Sequence, residues 1–442
     1  MLGGFLGSGK TTTLLRLAQQ LQRAGKRVGI ITNDQAAGLV DTALMEELNL
    51  PVSEIAGGCF CCRSGSLVEA LGKLTAASQP EVFLAEPVGS CTDLVATVSL
   101  PLERIYNAGF TMAPYAVLVD PYRAMQTLGV EELSWSAAKA GAGRVAGESA
   151  PERSGARRVP RGGGVRVRET AGKNGIQTRE GVFSPDVNYI YRKQLEEAEI
   201  IVINKTDVIA PERLVRLREA LGREYPDAEI LCVASREGTG LDVLFEVLTT
   251  REGDTRRVME VDYARYGKGE AMLGWYNGQH EVSVTGSAGK GPKGSRKTGR
   301  PGDCGGPGID GNAWLLDLAL RVRTVLRATG TEIAHFKMSL VEDAAAEVGK
   351  VEADGPGAAR ASMAAVSLVS SDREPELRRV LDAPLERGLL TVNLRAEGMP
   401  ELLAIAVQEA LKSNPPGLKT KRLAEEAFRP GQPIPTHRVA AV

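Results

Sequence analysis

A glycine-rich loop near the start of the chain carries the first residues able to do chemistry. Its sequence, Gly4-Phe5-Leu6-Gly7-Ser8-Gly9-Lys10-Thr11, has the G-x-x-x-x-G-K-T spacing of a phosphate-binding loop. Glycines let backbone N–H groups turn toward a phosphate, and a helix beginning there points its positive end at the same anion. Lys10 would reach the β- and γ-phosphates, and the Thr11 hydroxyl would bind Mg²⁺. The predicted contacts are Gly4, Gly7, Ser8, Gly9, Lys10, Thr11 and Thr12.

A second motif, Asn204-Lys205-Thr206-Asp207, follows the apolar run Ile200–Ile203. The Asp207 carboxylate can accept two hydrogen bonds from guanine, whereas adenine would leave it unpaired. Asn204 would bind the base edge, and the Lys205 stem would cover the base face. Ser235, after the next apolar run, is either a base-supporting contact or an ordinary helix cap. The sequence therefore predicts GTP as the nucleotide.

Two acidic residues follow predicted strands and are candidates for the catalytic site. Asp34 comes just after one strand and Glu86 just after another, and ligands of open α/β sheets bind beyond the carboxyl ends of strands. Either residue could hold Mg²⁺ or orient the attacking water, and the alternative is that both cap turns. Lys10, Asp34 and Glu86 are the predicted catalytic residues, with Thr11 and Glu86 as Mg²⁺ ligands. The sequence shows no recognisable arginine finger, so slow hydrolysis is expected.

Three cysteines within four positions, Cys59, Cys61 and Cys62, predict a transition-metal site. The glycines before them permit the sharp bend that makes thiols converge. A closed structural zinc site uses four protein ligands, so three local thiolates suit a site that must release its ion. Zn²⁺ or Co²⁺ is favoured and Ni²⁺ remains open. Glu54 or Cys91 could be a fourth ligand, and redox or buried structural thiols are the alternative readings.

The elements that must position these residues alternate between strands and helices, which predicts a doubly wound α/β sheet. The predicted strands are 27–32, 81–85, 116–120, 200–204 and 230–234. No room is apparent for a first strand before the phosphate loop. A smaller α+β unit follows, with predicted strands at 258–263, 332–341, 361–369 and 389–394 and helices at 313–326 and 400–411. His335 and Lys337 share one face of a predicted strand there.

The domain prediction places a P-loop GTPase domain at 1–250 and an α+β domain at 255–427, with an extended tail at 428–442. Two low-complexity segments interrupt them. Residues 137–181 are rich in Gly and Arg, and residues 283–311 are rich in Gly and Lys. Neither has enough apolar side chains to offset the entropy of ordering, so both are predicted to be disordered insertions.

Composition limits the classes of partner. Of 442 residues, 43% are hydrophobic and 25% charged, and the net charge is −1, so no field attracts nucleic acid. No apolar run is long enough for a membrane span, and no signal peptide is visible, which predicts a cytoplasmic protein without a membrane partner. Clustered cysteines in such a chain favour metal binding over disulfides.

Taken together, Gly4–Thr12, Gly58–Cys62, Glu86–Gly89 and Asn204–Asp207 resemble the CobW/HypB/UreG family of metal-linked P-loop GTPases, in its CobW-like branch. The resemblance implies GTP and Mg²⁺ binding, slow GTP hydrolysis, and metal insertion or cobalamin-related metabolism. Expected partners are a client metalloprotein or a corrinoid enzyme, and a nucleotide-dependent dimer is a further expectation. The chain departs from many relatives in lacking a His-rich stretch.

Three functional hypotheses follow. The first is a metallochaperone that hydrolyses GTP and delivers a transition metal. The second is a regulatory or assembly GTPase with structural or redox cysteines. The third is a P-loop kinase or ATPase in which the Asn204–Asp207 motif is coincidental.

Overall fold

The computed structural model describes residues 1–33, 50–55, 57–106, 109–130, 183–254, 258–284, 308–342 and 362–440. The predicted catalytic residue Asp34 lies outside this part of the chain. The predicted insertion at 137–181 and most of the one at 283–311 also lie outside it. Among the described residues, no helix is long and apolar enough to cross a membrane.

Among the residues that the structure describes, the N-terminal half contains seven parallel strands with helices between them. The strands are β1 (Leu2–Gly4), β2 (Val28–Asn33), β3 (Val52–Ile55), β4 (Val82–Glu86), β5 (Ala116–Val119), β6 (Ile200–Ile203) and β7 (Glu229–Cys232). The helices are α1 (Lys10–Arg23), α2 (Ser64–Ser78), α3 (Leu100–Arg104), α4 (Pro121–Thr127), α5 (Pro185–Glu197), α6 (Pro211–Glu224) and α7 (Leu241–Thr250). The strand orders are β3-β2-β4 and β1-β5-β6-β7. Strands β5 and β6 are apolar throughout because helices cover both of their faces. The predicted α/β fold class is confirmed.

The expectation that no strand precedes the phosphate loop is wrong. Leu2, Gly3 and Gly4 form β1, which pairs in parallel with residues 116–118 of β5. The two glycines hid this strand from a search for apolar runs. A side chain at Gly3 would collide with the Tyr115 ring, since a Cβ there would lie 2.0 Å from the Tyr115 hydroxyl oxygen. The strand therefore requires glycine at that position.

The C-terminal half is built on a six-stranded antiparallel sheet with the order β11-β10-β9-β12-β8-β13. Its strands are β8 (Leu273–Val284), β9 (Glu332–Glu342), β10 (Met363–Leu368), β11 (Glu376–Arg379), β12 (Arg387–Glu397) and β13 (Leu418–Phe428). Helices α9 (Gly311–Ala328) and α10 (Pro400–Lys412) pack on the sheet and share its apolar core.

One element of the C-terminal half differs from its prediction. Residues 258–262 are irregular, not a strand, and helix α8 (Tyr263–Met272) begins immediately after them. The Asp262 carboxylate accepts hydrogen bonds from the backbone N–H groups of Ala264 and Arg265. This cap satisfies the exposed donors of the helix start and fixes the boundary that hydrophobic patterning missed.

The two halves meet through buried polar contacts. Arg123, at the start of α4, forms a 3.1 Å ion pair with Glu332 of β9, and their side chains are only 5% and 6% exposed. The same guanidinium donates hydrogen bonds to the carbonyl oxygens of Ile333 and Val369. These contacts hold the start of β9 and the residue after β10 against the phosphate loop, where a Cβ at Gly7 would lie 3.2 Å from Val369 and 3.4 Å from the Ala334 carbonyl oxygen.

Candidate nucleotide and metal site

The phosphate loop connects β1 to α1, and its backbone requires glycine at the helix start. Gly9 precedes α1 with φ 96°, and a Cβ there would lie 2.2 Å from Asn204 Nδ2. Lys10 Nζ donates to the carbonyl oxygens of Gly4 (2.8 Å) and Phe5 (3.2 Å), so the lysine lies across the loop. Ser8 Oγ is buried and has no hydrogen-bond partner among the described residues. A glycine-rich loop that offers backbone N–H groups and the Ser8 hydroxyl can bind a phosphate group.

The Asn204–Asp207 motif is joined to this loop by hydrogen bonds. Asn204 Nδ2 donates to the Ser8 carbonyl oxygen at 2.9 Å, and Asn204 Oδ1 accepts from the backbone N–H of Ser235 at 3.1 Å. Lys205 Nζ donates to the Gly7 carbonyl oxygen at 2.7 Å and pairs with Asp120 at 2.9 Å. The motif and the phosphate loop thus form one bonded unit around the same space.

That space is a cavity of about 310 Å³. Its walls include Gly7, Gly9, Lys10, Thr11, Thr12, Asn204, Lys205, Asp207, Ser235 and Glu86. The structure therefore brings together most of the residues predicted for nucleotide binding. Asp207 is exposed at the cavity wall, where its carboxylate is accessible to the base of a nucleotide.

The C-terminal sheet closes the cavity from the opposite side. His335 and Lys337 of β9 line it, together with Ser367 of β10 and Arg378 of β11. Burial lowers the pKa of His335 well below its ordinary value, and the charges of Lys337, Arg395, Lys10 and Lys205 lower it further. The imidazole is therefore neutral and surrounded by cations, an environment that suits a polyphosphate. The shared face of His335 and Lys337 was visible in the sequence, but its position over the phosphate loop was not.

One side of the cavity lies where α1 meets the end of β4. Thr11 Oγ1 donates to Glu86 Oε1 at 3.0 Å, so both predicted Mg²⁺ ligands lie together. A hydroxyl and a carboxylate are ligands that Mg²⁺ prefers in nucleotide sites. The donor set therefore fits the ion.

The three clustered thiols lie together as predicted. The sulfur–sulfur distances are 2.8 Å for Cys59–Cys61, 3.2 Å for Cys59–Cys62 and 3.7 Å for Cys61–Cys62. Cys59 and Cys61 are buried, and Cys62 is half-buried. The group meets the ligand-atom spacing expected for holding one metal ion.

Hydrogen bonds among the thiols shift their pKa values in opposite directions. The pKa of Cys59 is lowered well below its ordinary value because the Cys61, Cys62 and Cys91 thiols hydrogen-bond to it. The same bonds to Cys59 raise the pKa of Cys61 well above its ordinary value and raise that of Cys62 to about 11. One thiolate is thus stabilised within the cluster, and a thiolate is the form that binds metals.

Asn33, at the end of β2, forms hydrogen bonds with the segment that carries the three cysteines. We call residues 57–62 the cysteine loop. Asn33 Nδ2 donates to the carbonyl oxygens of Ile55 (2.9 Å) and Gly58 (2.7 Å), and Asn33 Oδ1 accepts from the Phe60 N–H (2.8 Å). Asn33 also lines the nucleotide cavity. Sequence reasoning gave Asn33 no role of its own, although its position before Asp34 was the available signal. One side chain therefore belongs to both sites.

A C-terminal segment crosses the cysteine loop. The N–H of Ile434 donates to Cys62 Sγ at 3.3 Å, and the N–H of Thr436 donates to the Cys61 carbonyl oxygen at 2.9 Å. Arg438 then pairs with Asp93 at 2.7 Å. We call residues 434–439 the strap. It lies over the exposed side of the thiol cluster.

Comparison with known proteins adds a family match. The model of the CobW/HypB/UreG nucleotide-binding domain matches residues 1–231. A curated relative, the zinc chaperone YeiR of Escherichia coli (strain K12), is 33% identical over 90 residues, which are 20% of this chain. The chain covers 27% of that relative's length.

The chain also has partial similarity to solved structures. The hydrogenase maturation factor HypB of Archaeoglobus fulgidus is 15% identical, with 55% of this chain and 85% of that chain covered and a TM-score of 0.32. Zn(II)-bound YjiA GTPase of E. coli is 13% identical, with 92% and 97% covered and a TM-score of 0.30.

Proposed function

The chain belongs to the CobW/HypB/UreG family, and from that premise we propose that it is a GTP-hydrolysing metallochaperone. It binds a transition metal at Cys59, Cys61 and Cys62 and delivers the ion to a client protein. Zn²⁺ or Co²⁺ is the favoured cargo, and Ni²⁺ is the alternative, because thiolate donors suit all three ions. The alignment with the zinc chaperone supports zinc as the first metal to test.

The nucleotide in this proposal is GTP. Asp207 accepts the N1–H and 2-amino hydrogen bonds of guanine, while Asn204 holds the reading loop against the phosphate loop. Lys10 and the backbone of Gly7–Lys10 bind the phosphates, and Thr11 and Glu86 hold Mg²⁺. When bound, Mg²⁺ neutralises charge on the phosphate oxygens during hydrolysis.

Lys10 and Glu86 remain the proposed catalytic residues, with Asp34 a third. In this proposal Glu86, which lines the cavity beside Thr11, orients the attacking water. With no identified arginine finger, slow intrinsic turnover is expected.

The shared position of Asn33 is the observation that carries the proposal. Its amide fixes the cysteine loop through three hydrogen bonds, and it lies on the wall of the nucleotide cavity. A change at the γ-phosphate that shifts the end of β2 would therefore move the thiols as well. Such a coupled movement is the kind that converts nucleotide hydrolysis into ligand release.

The client and the setting are proposed from the family alone. A client metalloprotein or a corrinoid enzyme in the cytoplasm is the expected recipient, with no membrane or nucleic-acid partner. A nucleotide-dependent dimer is a further proposal.

Metal-dependent GTP turnover tests the proposal. Turnover is measured with and without Zn²⁺ or Co²⁺ in the wild type, in a variant with Cys59, Cys61 and Cys62 changed to Ser, and in a Cys232→Ser control. Cys232 is the matched control because it lies in β7 and is absent from the cluster. The proposal expects turnover to change severalfold with metal in the wild type and control but not in the triple variant. Equal turnover with and without metal in the wild type would refute the coupling.

The burial of Cys59 and Cys61 in the apolar core favours a second candidate, a regulatory or assembly GTPase with structural thiols. That candidate expects GTP turnover indifferent to metal and no stoichiometric metal binding by the wild type.

A further inference from the structure

One face of the C-terminal sheet is polar and forms a wall of the nucleotide cavity. The residues of β8 to β11 that line it include Trp275, His335, Lys337, Ser367 and Arg378. The other face of the sheet packs on α9 and α10, and Phe336 and Met338 of β9 belong to that apolar core. Lys337 lies between these two residues, so its side chain is on the cavity face. A nucleotide in the cavity would therefore contact both halves of the chain.

The strand order places β9 over the middle of the cavity. At one end, Glu376 of β11 pairs at 3.7 Å with Arg236, which follows the proposed base contact Ser235. At the other end, helix α8 leads into β8 and contacts the loop after β4, because Ser90 Oγ donates to Glu270 at 3.1 Å. Strands β10, β9 and β12 lie between β11 and β8. The sheet thus spans the cavity from the base end to the proposed Mg²⁺ side, and β9 lies between these ends, where the phosphates are expected.

Strand β9 also lies directly against the phosphate loop. A Cβ at Gly7 would be 3.4 Å from the Ala334 carbonyl oxygen. Lys337 is three residues further along the same strand (337 − 334). Its cross-strand neighbours are Ser367 of β10 and Asn393 of β12. Both have shorter side chains than lysine, so the ammonium group can reach beyond the surface of the sheet.

The charges on the cavity walls suit a polyanion. Among the described residues, five cationic side chains line the cavity, against three carboxylates; the cations are Lys10, Lys205, Arg236, Lys337 and Arg378, and the acids are Glu86, Asp207 and Glu376. The C-terminal sheet contributes two of the cations. Arg378 belongs to β11 at the base end and pairs with Glu376 at 2.9 Å, whereas Lys337 belongs to β9 beside the phosphate loop. Lys337 is therefore the cation of the second half that is best placed for a phosphate.

We propose that Lys337 binds a phosphate group of the bound nucleotide, so that GTP is held between the two halves of the chain. This inference rests on the proposed GTP site. A lysine ammonium donates charge-assisted hydrogen bonds to phosphate oxygens, and Lys337 adds such a donor to the one that Lys10 supplies. Because these bonds form only while β9 lies against the phosphate loop, GTP binding strengthens the contact between the halves.

Fluorescent-GTP titration of the full chain in the presence of Mg²⁺ tests the assignment. The variants are Lys337→Met, which keeps an unbranched stem without the charge, Lys337→Arg, which keeps the charge, and the control Lys421→Met. Lys421 is exposed on β13 and does not line the cavity. Lys337→Met is expected to bind GTP at least tenfold more weakly, because a charge-assisted hydrogen bond is lost. Lys337→Arg should recover most of the affinity, and the control should match the wild type.

Urea unfolding without nucleotide separates a binding role from a structural one. Lys337→Met should unfold at the urea concentration of the wild type, but GTP should raise that concentration less in the variant than in the wild type. A Lys337→Met variant that binds GTP as tightly as the wild type overturns the assignment.

Lysine labelling of the wild type gives the same answer without any substitution. An amine-reactive ester is applied with and without GTP, and mass spectrometry measures the labelling rate of each lysine. GTP should slow the labelling of Lys337 and Lys10 severalfold and leave Lys421 unchanged. Protection of Lys10 without protection of Lys337 overturns this assignment and leaves the proposed GTP site in place. A wild type in which GTP protects neither lysine and no fluorescent GTP binds refutes the GTP site as well.

Discussion

The Thr11 hydroxyl donates a 3.0 Å hydrogen bond to the Glu86 carboxylate, joining the first turn of α1 to the end of β4. These residues are 75 positions apart, and both line the nucleotide cavity. The contact brings together the two ends of the predicted Mg²⁺ site.

Glu86→Gln removes the negative charge while keeping an oxygen that can accept from Thr11. We expect GTP turnover to fall at least tenfold, because the amide binds Mg²⁺ weakly and cannot act as a base. Nucleotide affinity without Mg²⁺ should change little. Steady-state phosphate release measures the first quantity and fluorescent-GTP titration the second. Glu103→Gln, a change on α3 outside the cavity, should behave as the wild type, and an unaffected Glu86→Gln would remove Glu86 from the catalytic site.

Asp207→Ala should abolish the preference for guanine. Each hydrogen bond from the base to a carboxylate contributes about 1.5–3 kcal/mol, so losing two weakens GTP binding roughly 100-fold or more. ATP binding should stay as weak as it is in the wild type. Competition of fluorescent GTP against GTP and ATP gives both affinities, with the exposed Asp242→Asn as the control. Retained discrimination in Asp207→Ala would favour the kinase or ATPase reading.

Arg123→Met should destabilise the chain by about 3–5 kcal/mol, because it leaves Glu332 buried without its cation. Arg123→Met combined with Glu332→Leu should recover part of this loss. The carbonyl oxygens of Ile333 and Val369 would still lack their donor, so recovery should be incomplete. Urea unfolding measures each free energy.

The control for Arg123 is Arg251→Met, whose ion pair with Glu229 is exposed and should contribute less than about 1 kcal/mol. Equal effects of Arg123→Met and Arg251→Met would show that the contact between the two halves adds little to stability.

Glu197 gives the stability of the chain a specific pH dependence. It is 1% exposed, and burial raises its pKa from 4.5 to about 8. Below pH 4.5 the folded and unfolded states both hold the proton, so the stability associated with this proton is fully present there. This stability is lost as the pH rises from 4.5 to about 8, because in that range Glu197 is ionised in the unfolded state but still protonated in the folded state.

Glu197→Gln should remove this dependence while keeping the oxygen that accepts from the Val95 N–H. Between about pH 5.5 and 8.5 the wild type should lose roughly 3 kcal/mol relative to the variant. Urea unfolding at both pH values measures the difference. Glu196→Gln, at a neighbouring exposed position, is the control and should follow the wild type. A wild type and Glu197→Gln that change in parallel would place the Glu197 pKa near its ordinary value.

The strap should control chemical access to Cys62. Arg438→Ala removes the cation that pairs with the buried Asp93, so the strap is expected to detach more often. Alkylation of Cys62, followed by mass spectrometry, should become at least twofold faster in the variant. Arg429→Ala, which lies outside the strap, is the control. An unchanged rate would show that the strap does not shield the thiol.

The sequence predicted the features whose residues are contiguous. The phosphate loop, the Asn204–Asp207 motif and the cysteine cluster each depend on local backbone geometry, so their spacing carries the information. The α/β class followed from buried apolar runs such as β6. The first strand was missed because Gly3 and Gly4 have no apolar side chains, yet the close approach of Tyr115 requires Gly3 and that of the Leu118 carbonyl oxygen requires Gly4.

The features that were not predicted depend on tertiary packing. His335 and Lys337 alternate correctly on β9, but the position of that strand over Gly7 depends on tertiary contacts such as those of Arg123 with Glu332 and Ile333. Periodicity describes which face of an element is buried, whereas it does not identify the element that packs against it.

The strap also sets an order of events during translation. The ribosome makes Cys59, Cys61 and Cys62 more than 370 residues before it makes Ile434. A nascent chain can therefore fold its nucleotide-binding half and gather its thiols long before the segment that covers them exists. During that interval the sulfurs are open to oxidants and to adventitious metals. Cells that produce this protein would need to protect the growing chain from both until synthesis reaches the strap.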